Sequence, residues 1–150
     1  KLDFEQFAAA QAHYARALEL CGEAGAARLP IRRGLSRAYI GGKNYARHLD
    51  QFPTDEADPL IQTNRAEAFW GTGEPERARR LLDEVLREEP QFEPALLLSA
   101  RITADAGEPA RAIQLLTELL KRQPHHVAAR NQLALAQRQA GDLSGFTESM

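Results

Sequence analysis

Apolar side chains recur along this chain at steps of three and four, and glycine, proline and polar residues mark where each run stops. Residues 75–88 carry Ala78, Leu81, Leu82, Val85 and Leu86 on one side and Arg77, Arg79, Arg80, Glu84, Arg87 and Glu88 mostly outside. That spacing predicts an amphipathic helix. Residues 4–20 place Phe4, Phe7, Ala10, Tyr14, Ala17, Leu18 and Cys21 in the same rhythm, and Gly22 and Gly25 end the run, as glycine does just past a helix. Residues 27–40 follow, with Ile31, Leu35, Ala38 and Tyr39 as the apolar stripe and Pro30 tolerable only in the first turn. Gly41-Gly42 is a break, and a short helix over 44–52 stops at Phe52-Pro53. Residues 53–59, PTDEADP, are the most polar connector. Helices are predicted over 59–70, 75–88, 94–105, 109–122 and 125–139, with one more starting at Gly141-Asp142 and running out at Met150. No segment alternates as a half-buried strand would. The pattern predicts an all-α chain of about nine helices on short loops.

Two of these blocks repeat one another. Gly73-Glu74-Pro75 returns as Gly107-Glu108-Pro109, Ala78 as Ala112, Leu81-Leu82 as Leu115-Leu116, Glu84 as Glu118, Leu86 as Leu120 and Pro90 as Pro124, each pair 34 residues apart. Gly141 lies 34 beyond Gly107. A fixed period in this range marks a stacked helical repeat, because one helix pair cannot bury both of its faces and stacking buries the rest. Leu82, Leu86, Leu116, Leu119 and Leu120 are expected in the interfaces between helices.

The period, the two helices per period and the mid-turn glycine resemble the tetratricopeptide repeat. In the unit 59–92 the pattern positions hold Gln62, Arg65, Ala66, Phe69, Ala78, Leu82 and Pro90, and in 93–126 they hold Leu96, Ser99, Ala100, Thr103, Ala112, Leu116 and Pro124. A truncated unit over 127–150 holds Arg130, Leu133, Ala134, Gln137 and Phe146. The opening Trp of the pattern is absent, and Arg65 and Gln137 stand where apolar groups are expected. Residues 1–52 fit as divergent N-terminal helices: Tyr14 and Ala17 suit a second helix, while Leu35, Tyr39 and Gly42 suit a first. The resemblance implies a right-handed α-solenoid of antiparallel helix pairs, about four in number, forming a single continuous domain with residues 53–150 as the better-matched part. The chain begins at Lys1 rather than Met, and we read it as a piece of a longer one.

In this family the first helices of the pairs line a concave groove, so the resemblance implies a peptide or partner helix bound there. In the register above the groove-facing candidates are Arg33, Arg37, Asn64, Glu67, Trp70, Arg101, Asn131 and Arg138, with Thr63, Leu97, Leu98 and Leu135 beside them. The arginines and asparagines offer forked donors suited to a carboxylate or a peptide backbone. Trp70, the only tryptophan, reads either as an aromatic anchor or as packing under the Gly71–Gly73 turn or against helix 27–40. A chaperone-tail carboxylate clamp is not supported, because Pro94 and Leu98 stand where it needs basic groups.

Composition narrows the classes. Apolar residues make up 43% and charged residues 27% of 150, ordinary for one folded domain. The net charge of -2 leaves no basic surplus for phosphates, which argues against nucleic acid as a partner. Cys21 is alone, so no internal disulfide or cysteine-based zinc site forms. No apolar run is long enough to span a bilayer. Cytosol is favoured, with the periplasm an option if a signal sequence was removed.

Candidate chemistry is thin. His125 and His126 point about 100° apart on a helix and do not chelate together; they are expected exposed at a helix start. His13 and His48 have no evident carboxylate partner, and Asp55-Glu56-Ala57-Asp58 lacks the glycine of a calcium loop. Ser36, Ser99, Ser144 and Ser149 lie in no nucleophile motif. The reading is a non-enzymatic protein-interaction scaffold without cofactor or metal. The alternatives are a structural spacer, a self-assembly module joined through an apolar end face around Leu133, Ala134 and Phe146, and the accessory region of a larger enzyme.

Overall fold

A computed structural model describes residues 2–22, 25, 27–52 and 57–148, with side chains between residues 4 and 141. Eight helices and no strand are found among the described residues: α1 (Leu2–Cys21), α2 (Arg28–Gly41), α3 (Tyr45–Gln51), α4 (Pro59–Gly71), α5 (Pro75–Glu88), α6 (Glu93–Asp105), α7 (Pro109–Arg122) and α8 (Val127–Glu148). The fold is an all-α helical repeat, as the periodicity predicts.

The chain packs as two compact units, Lys1–Leu81 and Leu82–Met150. In the first, α1 lies against α2, and α2, α3 and α4 pack on one another. Its apolar centre is Leu35, Tyr39, Phe52 and Ile61, with Tyr14 and Leu18 against it. In the second, α7 packs against both α6 and α8, and α6 touches α8. Its centre is Leu96, Ala100, Ala112, Leu116, Leu119, Ala129 and Ala136. The five interface leucines are indeed covered: Leu82, Leu116 and Leu119 are fully buried, and Leu86 and Leu120 are partly buried against the second core.

One turn is built three times. The Thr72, Gly73 and Glu74 amides donate to the carbonyls of Ala68, Trp70 and Phe69. Ala106, Gly107 and Glu108 repeat these bonds to Ile102, Ala104 and Thr103. Gly42, Lys43 and Asn44 repeat them again, to Ala38, Ile40 and Tyr39. The middle residue must adopt a positive φ: 87° at Gly73, 83° at Gly107 and 57° at Lys43. Glycine takes that conformation freely and lysine does not. Pro75 and Pro109 then open the next helix, where their missing N–H costs nothing. The third copy of the turn joins α2 to α3, and its middle residue lies 30 residues before Gly73 instead of 34. The deficit sits in the second helix, since α3 has 7 residues where α5 and α7 have 14.

The structure departs from the expected break at Gly141. Here α8 runs unbroken for 22 residues, so the predicted helices over 125–139 and from 142 are one, and eight helices replace about nine. The reason is local. Gly141 is not among the glycines of positive φ, and the residue two places on is Leu143 where Pro75 and Pro109 follow Gly73 and Gly107. Glycine inside a helix costs only about 1 kcal/mol, whereas proline in that place would force a stop. The connector residues 53–56, the side chain of Phe146 and residues 149–150 lie outside what the structure describes.

Candidate functional site

In the first unit a chain of polar side chains joins three helices. His48 Nε2 lies 2.7 Å from Ser36 Oγ, and Asn64 Nδ2 donates to the same oxygen at 2.8 Å. Ser36 and His48 are fully buried. The turn bonds explain why they meet. His48 stands where Ala78 and Ala112 stand after the other two turns, and Ser36 where Ala66 and Ala100 stand. Both alanine pairs are fully buried or nearly so, so polar groups here replace a close apolar crossing of two helices. His48 Nδ1 has no hydrogen-bond partner. Burial, and then the nearby positive charge of Arg65, pull the His48 pKa down to about 4, so the ring is neutral near pH 7. A serine beside a histidine is a nucleophile's geometry, but both side chains are fully buried, and with Asn64 the pair ties α2, α3 and α4 together. The sequence left His48 without a partner; the missed signal was its place in the turn register.

The sequence-derived candidates of this unit divide. Arg33 Nε and Nη2 donate to Asp58 Oδ2 at 3.0 and 2.5 Å, while Asp58 Oδ1 accepts the Ile61 amide at 3.1 Å and caps α4. Burial pushes the Asp58 carboxyl up, but the Arg33 and backbone donors more than offset this and its pKa falls. Asn64 is inward, on Ser36. Arg37 is exposed, and Glu67 and Trp70 are half-buried. Tyr45 covers Gly71, where an added Cβ would come within 2.3 Å of its ring. Arg65, the odd residue in an apolar position, is buried. It donates to the Phe52 carbonyl and lies 5.1 Å from the centroid of Phe69, with Arg77 at 5.2 Å from the same ring.

In the second unit Arg101 on α6 and Asn131 and Arg138 on α8 are exposed. Leu135 joins them at 63% exposure, whereas Leu98 is buried. His125 is exposed, but His126 differs from the expected exposed pair. Its Nδ1 accepts the Ala129 amide at 3.2 Å, capping α8, and its Nε2 bonds Glu93 Oε1 on α6. With Nδ1 accepting, Nε2 carries the hydrogen and donates it. No group of three or more metal-binding side chains is present among the described residues.

A tetratricopeptide repeat sequence model matches residues 63–113 and again 97–146, together more than half of the chain. The chain belongs to the tetratricopeptide repeat family. The two matches start 34 residues apart, the period of the turns, and the tetratricopeptide register places α4, α6 and α8 as first helices and α5 and α7 as second helices. Tetratricopeptide repeats generally mediate protein–protein interaction, and the family is typically a non-enzymatic scaffold. No helix described is long and apolar enough to cross a membrane. No curated protein and no solved structure matches the chain significantly.

Proposed function

We propose that this chain is a protein-interaction module that holds a peptide or partner helix on the outward faces of its first helices. What carries the reading is a contrast between equivalent positions. Inward, the copies agree: Ala66 and Ala100 are both fully buried alanines. One residue further along each helix they do not: Glu67 is half-buried, and its equivalents Arg101 and Leu135 are exposed. A shared scaffold with varied outward chemistry is how a helical repeat presents a particular ligand. Arg37, Glu67 and Trp70 would serve in the first unit, and Arg101, Asn131 and Arg138 in the second. Arg33 and Asn64 contribute by holding the helices in place.

Photo-crosslinking tests the assignment. A photoreactive residue at Arg101 or Arg138 should capture a partner, while the same residue at Glu84, exposed on a second helix, should not. Trp70→Ala combined with Arg101→Ala should lower recovery of that partner. Equal capture at Glu84, or unchanged recovery by the double variant, would count against the reading.

A further inference from the structure

The outward face of α8 has an unusual chemistry for this chain. Val127, Asn131, Leu135 and Arg138 follow at steps of four, four and three, which sets them on one stripe of a helix. Val127 and Leu135 are 69% and 63% exposed. Arg130 and Arg138 flank them, both exposed. Three exposed cations elsewhere take an acid three residues away: Arg16 pairs with Glu19, Arg77 with Glu74 and Lys121 with Glu118. Between Val127 and Gly141 there is no Asp or Glu, and the first acid of α8 is Asp142, four residues after Arg138. Glu93 on the adjoining α6 is taken by His126. Among the described residues Arg130 and Arg138 make no ion pair.

Resting on the protein-interaction reading above, we propose that this face of α8 takes an acidic amphipathic segment of a partner protein. An apolar side chain of the segment lies against Leu135, and its carboxylates face Arg130 and Arg138. Guanidinium groups recognise carboxylates through paired, planar hydrogen bonds, and an apolar anchor ringed by charge is the usual make-up of a helix-in-face contact. A second copy of α8 fits badly, because it would set arginines against arginines. Nucleic acid fits badly with a chain of net charge -2.

The test uses two helix-forming peptides of about 15 residues with one leucine stripe, one carrying glutamates elsewhere and its twin carrying lysines. Fluorescence anisotropy should show the acidic peptide binding at least about tenfold tighter, with affinity falling as salt rises. Leu135→Asp and Arg138→Glu should each weaken it by at least about fivefold. Both positions are exposed, so circular dichroism should be unchanged. Glu84→Lys, on a second helix, should leave binding as it was. Equal binding of the twins, or acidic binding indifferent to Leu135→Asp and Arg138→Glu, overturns the proposal. If the acidic peptide fails while a partner still crosslinks at Arg101, the charge preference is wrong and the interaction reading stands. If no first-helix position crosslinks any partner, that reading fails too.

Discussion

His48 carries the largest single consequence at the scale of one residue. Its pKa is about 4 in the folded chain and near 6.5 in an unfolded one. The unfolded state therefore binds more protons between these values, and stability falls as pH drops through that window. The loss should be ~2–3 kcal/mol from pH 6.5 to 4, read as a falling urea midpoint, and His48→Ala should flatten the dependence there. Asp58 acts lower. Its pKa is depressed, so its contribution is whole above the ordinary carboxylate range and disappears only as pH falls through its folded value. Asp58→Ala removes both the α4 cap and the Arg33 pair and should cost about 1–2 kcal/mol by denaturant melt. These roles were hard to read from the chain. Arg33 and Asn64 have side chains as suited to a ligand as to a neighbour, and only the packing of α2 against α4 shows that they bond Asp58 and Ser36.

At the scale of elements, the turns separate backbone cost from packing cost. An added Cβ at Gly73 or Gly107 meets nothing within 4 Å, so any penalty for Gly73→Ala is the positive φ alone, about 1–2 kcal/mol. Lys43 already bears that strain, and Lys43→Gly should stabilise the first unit by about 0.5–1 kcal/mol, visible as a higher melting temperature. Packing costs more: Leu116 is 1% exposed in the second core, and Leu116→Ala should lose ~2–5 kcal/mol. The helices themselves were legible, because leucine and alanine at steps of three and four leave little ambiguity over 14 residues such as α5 and α7. The placing of Leu35 and Tyr39 in a first helix rested on few residues, since a lysine stands in the glycine position and α3 is half the length of α5. Phe92 shows a further limit. It occupies the same cap position as Asp58 and His126 but makes no side-chain cap, so equivalent places in a repeat need not do equivalent work.

At the scale of the whole molecule, the two units should respond differently to acid. The first contains the fully buried His48; in the second, the histidines are exposed or lie at a helix start on Glu93. Hydrogen exchange at pH 4.5 against pH 7, corrected for intrinsic rates, should show protection lost in α2–α4 well before α6–α8. Uniform loss across both units would place the acid sensitivity elsewhere than His48. The family and fold were legible at this scale because repetition multiplies weak local signals: 34-residue spacing recurs in glycine, alanine, leucine and proline together. The outward chemistry was legible only as a set of positions, since exposure along α8 depends on which of its sides meets α6 and α7. The unbroken α8 also carries a lesson about punctuation. Gly73 and Gly107 are each followed two residues on by a proline that opens the next helix, whereas Gly141 is followed by Leu143 and α8 runs on. One substitution, Leu143→Pro, should therefore end the long helix early, since proline both removes an amide donor and crowds the carbonyl four residues before it, and circular dichroism should record the lost helical signal.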